Sequence, residues 1–249
     1  MGVTSMVNPG PMAEDTEATE SAAHVRTQFL RRVAHDIASP AGVSMTVLDE
    51  LGAADRPRPE LVAMAKRSLR RLMRLSEQLA LVAELEGGEL VPELAPTDLR
   101  PIARAAFDEA ISIDGRKDVV AVADLPETPV LVAADPRLLQ VVFREVIGNA
   151  LKLAQRRVEV SLRAEGSSRV LRVEDDGPGF SAEAVATLGR RFLKRTSARG
   201  LGLSLSVAVE ILRSHGGGLH VEASSLPPGR RGTPGAAVVV KLPAARDDV

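Results

Sequence analysis

Of the four histidines in the chain, His24, His35, His215 and His220, one stands where an imidazole could act on another molecule. Leu30, Ile37, Ser44 and Leu51 recur every seven residues, and in that helical frame His35 falls five residues after a core position, on the outer face. Asp36 follows it. A carboxylate can hold one ring N–H so that the other nitrogen presents its lone pair for attack, or it can take up a proton as attack proceeds. A solvated polar helix face shows the same pair, so the pair alone does not decide.

Three further segments carry groups suited to a phosphate or a cation. DDGPGF at 175–180 closes a predicted strand with an acidic pair, Asp175 and Asp176, and two glycines, Gly177 and Gly179, that let the backbone turn sharply and approach a ligand; an ordinary turn is the alternative. RGLGLSLS at 199–206 sets Gly200 and Gly202 before a helix that runs to Gly216, and the free amides of a helix start suit a phosphate. DPRLLQVVFREVIGNALKLA at 135–154 reads as a helix with Glu145 and Asn149 on one face and Lys152 three residues on. An amide oxygen and a carboxylate at that spacing can hold Mg²⁺, whereas a buried Asn beside a solvated Glu–Lys face is the plainer reading. Neither a Walker loop nor a full GxGxxG pattern is present.

These groups need elements to position them. The 249 residues suffice for one large or two small domains. Residues 1–20 are acidic and Pro/Gly-punctuated, the composition of a disordered tail. Helical periodicity then runs from about 21 to 54, with Val33, Pro40, Val47 and Ala34, Ala41, Leu48 widening the stripe. ADRPRPE at 54–60 breaks it, and Leu61, Ala65, Ser68, Leu72, Leu75, Leu79 and Val82 resume in steps of four and three. The expectation is an antiparallel helical hairpin over 21–88, whose half-covered stripes join those of a second copy in a dimeric four-helix bundle. After Gly87-Gly88 and a Pro-marked stretch, a second domain is expected at 97–243, with helices at 98–112, 136–154, 182–190 and 203–214. Strands are read at RRVEVSLRA, RVLRVED, GLHVEA and AAVVVKLP, and residues 244–249 as a frayed end. The fold class is therefore α+β, helices lying on one face of a mixed sheet.

Composition narrows the function. Thirty-two Lys and Arg against 33 Asp and Glu leave a net charge of -1, so no global basic field recruits nucleic acid or anionic lipid. The absence of Cys removes disulfides, thiolate nucleophiles and Cys-based metal sites. Aromatics at 2% leave an aliphatic core and no stacking platform for single-stranded nucleic acid. No apolar run has the length of a membrane helix and no signal peptide is legible, so a cytoplasmic protein is expected.

Taken together and in order, the motifs resemble those of bacterial two-component sensor histidine kinases over about 21–243. FLRRVAHDIASPAGV is similar to the phosphoacceptor box, EVIGNALKLA to the Asn box, DDGPGF to the first glycine box, Phe192 to the aromatic position of the lid, and RGLGLSLSVAVEILRSHGG to the second glycine box. The resemblance implies a dimerisation and phosphoacceptor hairpin followed by a Bergerat-type ATP-binding domain. It implies that His35 receives phosphate with Asp36 in the adjacent acidic role, Ser39 and Pro40 matching the hydroxyl-Pro pair. Asp175 would bind the adenine amine, Asn149 with Glu145 would ligate Mg²⁺, and Lys152 would contact phosphate. Gly177, Gly179, Gly200 and Gly202 would shape pocket and lid, with Arg199 beside them at the nucleotide. Departures from the pattern are Ala38 for an Arg, Asp36 for a Glu, Glu145 for the first of two Asn, Ala198 and Arg199 for a Gly-Thr pair, and Ala236 for a Thr or Ser.

The function so implied is ATP-dependent phosphorylation of His35, followed by transfer to an Asp on a response-regulator receiver domain, with the signal supplied by a separate sensor or input protein. Three other classes share parts of the pattern: a histidine phosphotransferase whose nucleotide domain no longer binds ATP, an ATPase or serine kinase using Glu145, and a non-enzymatic regulator.

Overall fold

The computed structural model describes residues 31, 33–51, 58–186, 188, 204–230 and 232–245. Helix α1 covers 33–51 and α2 covers Pro59–Gly87. Proline at the first turn opens α2, and it closes on Gly88 in the left-handed conformation (φ 69), whose N–H reaches the Glu84 carbonyl. Sequence periodicity anticipates the buried seam of these two helices in part. Ser44 and Val47 of α1 and Ala65, Ser68 and Val82 of α2 are buried, while Leu72, Leu75 and Leu79 are only half-buried and Ile37 and Leu48 are exposed. Arg74 and Gln78, off that stripe, are buried instead. The reason is that the C-terminal half of α2 has a second neighbour: it also packs on the helices of the following domain.

That domain begins with β1 (Ala95–Asp98), α3 (Leu99–Asp114), β2 (Val120–Asp124), β3 (Leu131–Ala134) and α4 (Pro136–Leu153). It continues with β4 (Arg157–Glu165), β5 (Ser168–Asp175), α5 (Ala182–Ala186), α6 (Ser204–Ser214), β6 (Gly218–Ala223) and β7 (Ala236–Pro243). Five strands form one mixed sheet in the order β2-β4-β5-β7-β6, parallel between β2 and β4 and antiparallel elsewhere; β1 and β3 pair separately. The α+β reading holds, and the four strands expected from Val content are β4 to β7. The three short strands β1, β2 and β3 went unread.

Alternation decides which face is dry. Val158, Val160 and Leu162 of β4 align with Leu171 and Val173 of β5 and with Val238, Val240 and Leu242 of β7 in one core beneath α3, α4 and α6. The opposite face carries Arg163, Arg172, Glu222 and Lys241, with Arg172 bridging Glu174 and Glu222. Helix α4 starts on Asp135, whose side chain accepts from the Arg137 and Leu138 amides at 3.0 and 3.3 Å, with Pro136 in the first turn. The buried His215 ties that start to the end of α6: its Nε2 accepts from the Asp135 amide at 3.0 Å and its Nδ1 donates to the Ile211 carbonyl at 2.7 Å.

Phe143 is the largest fully buried side chain, and it sits at the centre of α4. The core around it is mostly Leu, Val, Ile and Ala, with Phe107 the other buried aromatic, and deleting a ring this size leaves a cavity. Phe143→Ala is therefore expected to cost about 3–5 kcal/mol, read as a fall in the urea midpoint with little change in slope. A shift of less than 1 kcal/mol on that scale would mean that this helix does not carry the core.

Candidate functional site

One face of α4 carries the predicted acid, amide and amine. Glu145 is buried, Asn149 half-buried and Lys152 exposed, in that order toward the C-terminal end of the helix. The end of β5 is brought against that helix end. Asp176 holds the junction: its Oδ1 accepts from the amides of Gln155, Arg156 and Arg157 at 2.8, 2.9 and 3.0 Å. Burial raises the pKa of that carboxyl, but the three amides outweigh burial and the net direction is down.

Asp175 faces the other way in electrostatic terms. It is 3% exposed, and burial pushes its carboxyl up to about 6, against hydrogen bonds from the Gly177 and Ala236 amides and with help from the neighbouring Asp176 charge. The backbone around it leaves no room for side chains. A Cβ on Gly177 would stand 2.6 Å from both Asp175 Oδ1 and the Leu153 carbonyl, and one on Gly235 would strike the Asp175 carbonyl. Gly179 follows at φ 71. The result is a tightly packed glycine turn around one buried carboxylate, next to the helix that carries Asn149 and Lys152.

Oε1 of Glu145 is buried without a hydrogen-bond partner, with the Nε atoms of Arg144 and Arg74 at 3.6 and 3.9 Å; a carboxylate and an amide oxygen are the ligand types Mg²⁺ takes, but here the carboxylate is already flanked by two cations. Lys152 Nζ lies 3.7 Å from Asp114 Oδ2, exposed enough to turn toward a phosphate. The remaining predicted pocket residues, Arg199, Gly200 and Gly202, and the lid position Phe192 lie outside the described residues.

His35 is on α1 with 80% of its side chain exposed, and its Nδ1 is 3.2 Å from Asp36 Oδ1. A carboxylate oxygen can only accept, so Nδ1 is the donor and Nε2 keeps its lone pair facing solvent. Ser39, one turn on, is also exposed. Among the described residues no hydrogen bond or ion pair joins His35 to the α4–β5 junction.

A group of charges with no signal in the local sequence joins α2 to α3 and α4. Arg74 of α2 donates from Nη2 to Asp114 Oδ2 at 2.6 Å, and its Nε is 3.9 Å from Glu145 Oε1. Arg144 reaches Glu77 of α2 at 2.5 Å and Glu109 of α3 at 3.1 Å. Burial disfavours the Arg144 charge, yet Glu145, Glu77 and Glu109 around it raise its pKa further above the ordinary arginine value. Nothing in the heptads of α2 distinguishes Arg74 from its solvated neighbours. Its partners lie 40 and more positions away in the chain.

Comparison with known proteins is consistent with this geometry. Residues 134–246 match the family described as histidine kinase-, DNA gyrase B-, and HSP90-like ATPase. The chain is 28% identical over 239 residues to the signal transduction histidine-protein kinase AfsQ2 of Streptomyces coelicolor, an alignment covering 87% of this chain and 41% of that protein. It is 26% identical over 259 residues to the signal transduction histidine-protein kinase BaeS of Escherichia coli, covering 98% of this chain and 53% of that one. A mycobacterial sensor histidine kinase, MprB, has a solved structure that superposes with a TM-score of 0.53 at 27% identity, over 61% of this chain and 99% of that one. The chain thus spans about half the length of the curated relatives it matches.

Proposed function

We propose that this chain, a two-component sensor histidine kinase by sequence with a GHKL-type ATP-binding domain, phosphorylates its own His35 from ATP and passes the phosphoryl group to an aspartate of a response-regulator receiver domain. The observation that carries the reading is the pairing of an exposed, Asp36-oriented imidazole with a buried acceptor, Asp175, in a glycine turn, a group that suits the amino group of adenine. Guanine offers no donor at that position.

In this reading residues 21–88 are the phosphoacceptor and dimerisation hairpin and 97–243 the nucleotide domain. Asp175 holds the base, with Gly177 and Gly179 admitting it; Glu145 and Asn149 hold Mg²⁺; Lys152, Arg199, Gly200 and Gly202 attend the phosphates. Mg²⁺ held by Glu145 and Asn149 would neutralise charge on the phosphates. The chain's own groups do the rest by placement, since phosphoryl transfer needs alignment more than covalent help from protein. The Nε2 lone pair of His35 forms a bond to the γ-phosphorus while the bond from phosphorus to the bridging oxygen breaks, and ADP leaves with that electron pair. Asp36 holds Nδ1–H as the ring gains positive charge. A receiver carboxylate then attacks the same phosphorus, the N–P bond breaks, and the imidazole is restored.

Ile37, Leu48, Leu69 and Met73 are exposed on the hairpin of a single chain, the apolar surface a second copy would cover in a four-helix bundle. No described helix is long and apolar enough to cross a membrane. ATP and receiver domains place the work in the cytoplasm. Incubation with γ-labelled ATP and Mg²⁺ is expected to put acid-labile, base-stable label on the protein. No label, or label that survives acid, would overturn the assignment.

A further inference from the structure

The carboxylate next to Asp175 takes no part in the transfer described above, yet it is the more firmly held of the two. Asp176 is 2% exposed, and a single oxygen, Oδ1, accepts from the three successive amides of Gln155, Arg156 and Arg157. Successive amides that converge on one point form an anion-binding concavity of the kind that holds phosphate in other folds. Here the chain fills it with its own side chain. The backbone of Asp176 is fastened as well: its amide donates to the Arg157 carbonyl at 3.3 Å, and its carbonyl accepts from Gln155 Nε2 at 3.2 Å. The connection between β6 and β7 closes over the same point. Arg156 donates from Nη2 to the Pro228 carbonyl at 3.0 Å, and a Cβ on Gly229 would stand 2.3 Å from the Asp176 carbonyl oxygen.

Chain order decides what these contacts join. Residues 155–157 lead out of the end of α4, just past Asn149 and Lys152. The paired register of β5 ends at Asp175, opposite Val158 of β4 and Ala236 of β7. Sheet pairing therefore fixes the chain up to Asp175, and Asp176 fixes where it goes next. We propose that Asp176 is a positioning residue for the nucleotide: its carboxylate clamps the start of the glycine turn onto the end of α4 and so sets the span between Asp175 and the pair Asn149 and Lys152. The inference rests on the assignment of Asp175 to the base and of the α4 residues to the phosphate end. One ligand molecule engages both groups at once only if that span matches its own, and misplacement on the order of 1 Å is costly. Asp176 itself touches neither end of the nucleotide.

Two substitutions separate positioning from plain stabilisation. Asp176→Asn keeps an acceptor at Oδ1 and gives up only the 3.6 Å approach of Arg156 Nε, whose side chain is 53% exposed and free to turn away. Its ADP affinity is expected to stay within about threefold of the parent, whereas Asp176→Ala, which strands three amides, is expected to bind ADP about tenfold or more weakly. Both titrations are run at a temperature where circular dichroism shows each protein fully folded. A residue that merely held the fold together would lower the melting temperature of Asp176→Ala and leave the affinity of the folded protein intact. That result, or an equal loss in both variants, would overturn the clamp. The parent gives a second measurement that needs no variant to fold. If the clamp must be closed for ADP to bind, amide exchange at 155–157 slows by about tenfold at an ADP concentration ten times Kd. Exchange there that ignores bound ADP would overturn the clamp equally. A parent protein that binds no ADP at all would sink the assignment of Asp175 first, and this inference with it.

Discussion

Asp175→Asn is expected to make the nucleotide-free protein more stable and the nucleotide-bound protein unattainable. The buried Asp175 carboxyl has its pKa raised from 3.8 to about 6, chiefly by burial. An acid raised in the folded state keeps its proton there while the unfolded chain has already released it. This group's contribution to stability is thus full below about pH 4 and is lost as pH rises from about 4 to about 6, leaving a penalty on the order of 3 kcal/mol at neutral pH. Asn has the same shape and its Oδ1 can still accept from the Gly177 amide. At pH 7.5 the variant should melt higher than the parent, by an amount worth about 1–3 kcal/mol after the cost of a newly buried amide donor. At pH 4 the two should coincide. The second position, however, becomes an N–H donor facing the amino group of adenine, and donor meets donor. ADP with Mg²⁺ should raise the melting temperature of the parent and leave the variant unmoved, and autophosphorylation should vanish. A variant that is destabilised at pH 7.5, or that still responds to ADP, would show that this carboxylate is not the base-reading group.

This trade, stability given up for a poised acceptor, sits where local sequence and function meet, and it explains which parts of the molecule could be read in advance. Helix α4 was legible because Asp135-Pro136 fixes its start and its apolar period is unbroken, which also places Glu145, Asn149 and Lys152 on one side. Strands β4 to β7 were legible through Val-rich alternation. Strands β1 and β3 have four residues each, one with an internal proline, and pair only with each other; so few positions carry no periodicity. The fully buried face of α2 was misjudged for a different reason. Heptad spacing marks one apolar stripe and is silent on a second partner that also buries Arg74 and Gln78, here the following domain, into whose core Leu75, Leu79, Leu81, Val82 and Leu85 pack. Asp114, the hub of the charge cluster, ends α3 with an unremarkable sequence around it, and its meaning comes wholly from residues far along the chain.

His35→Gln should separate binding from transfer. Gln has comparable reach and can accept or donate hydrogen bonds, but its amide nitrogen has no lone pair available to phosphorus. With 80% of the His35 side chain in solvent and Asp36 its only described polar partner, the substitution should alter stability by no more than about 0.5 kcal/mol. ADP-induced stabilisation should be that of the parent, since no described contact joins His35 to the α4–β5 junction. Label from γ-labelled ATP should fall to background. The parent and variant together discriminate the competing classes. Label that persists in His35→Gln and resists acid would point to a hydroxyl acceptor and to a serine kinase. A parent protein that takes no label from ATP, shows no ADP-induced shift, yet accepts phosphate from a phosphorylated receiver would be a phosphotransferase that no longer holds nucleotide. Only loss of label with retained ADP binding matches an imidazole that is chemically necessary and structurally dispensable, which is what a ring with 80% of its side chain exposed should be.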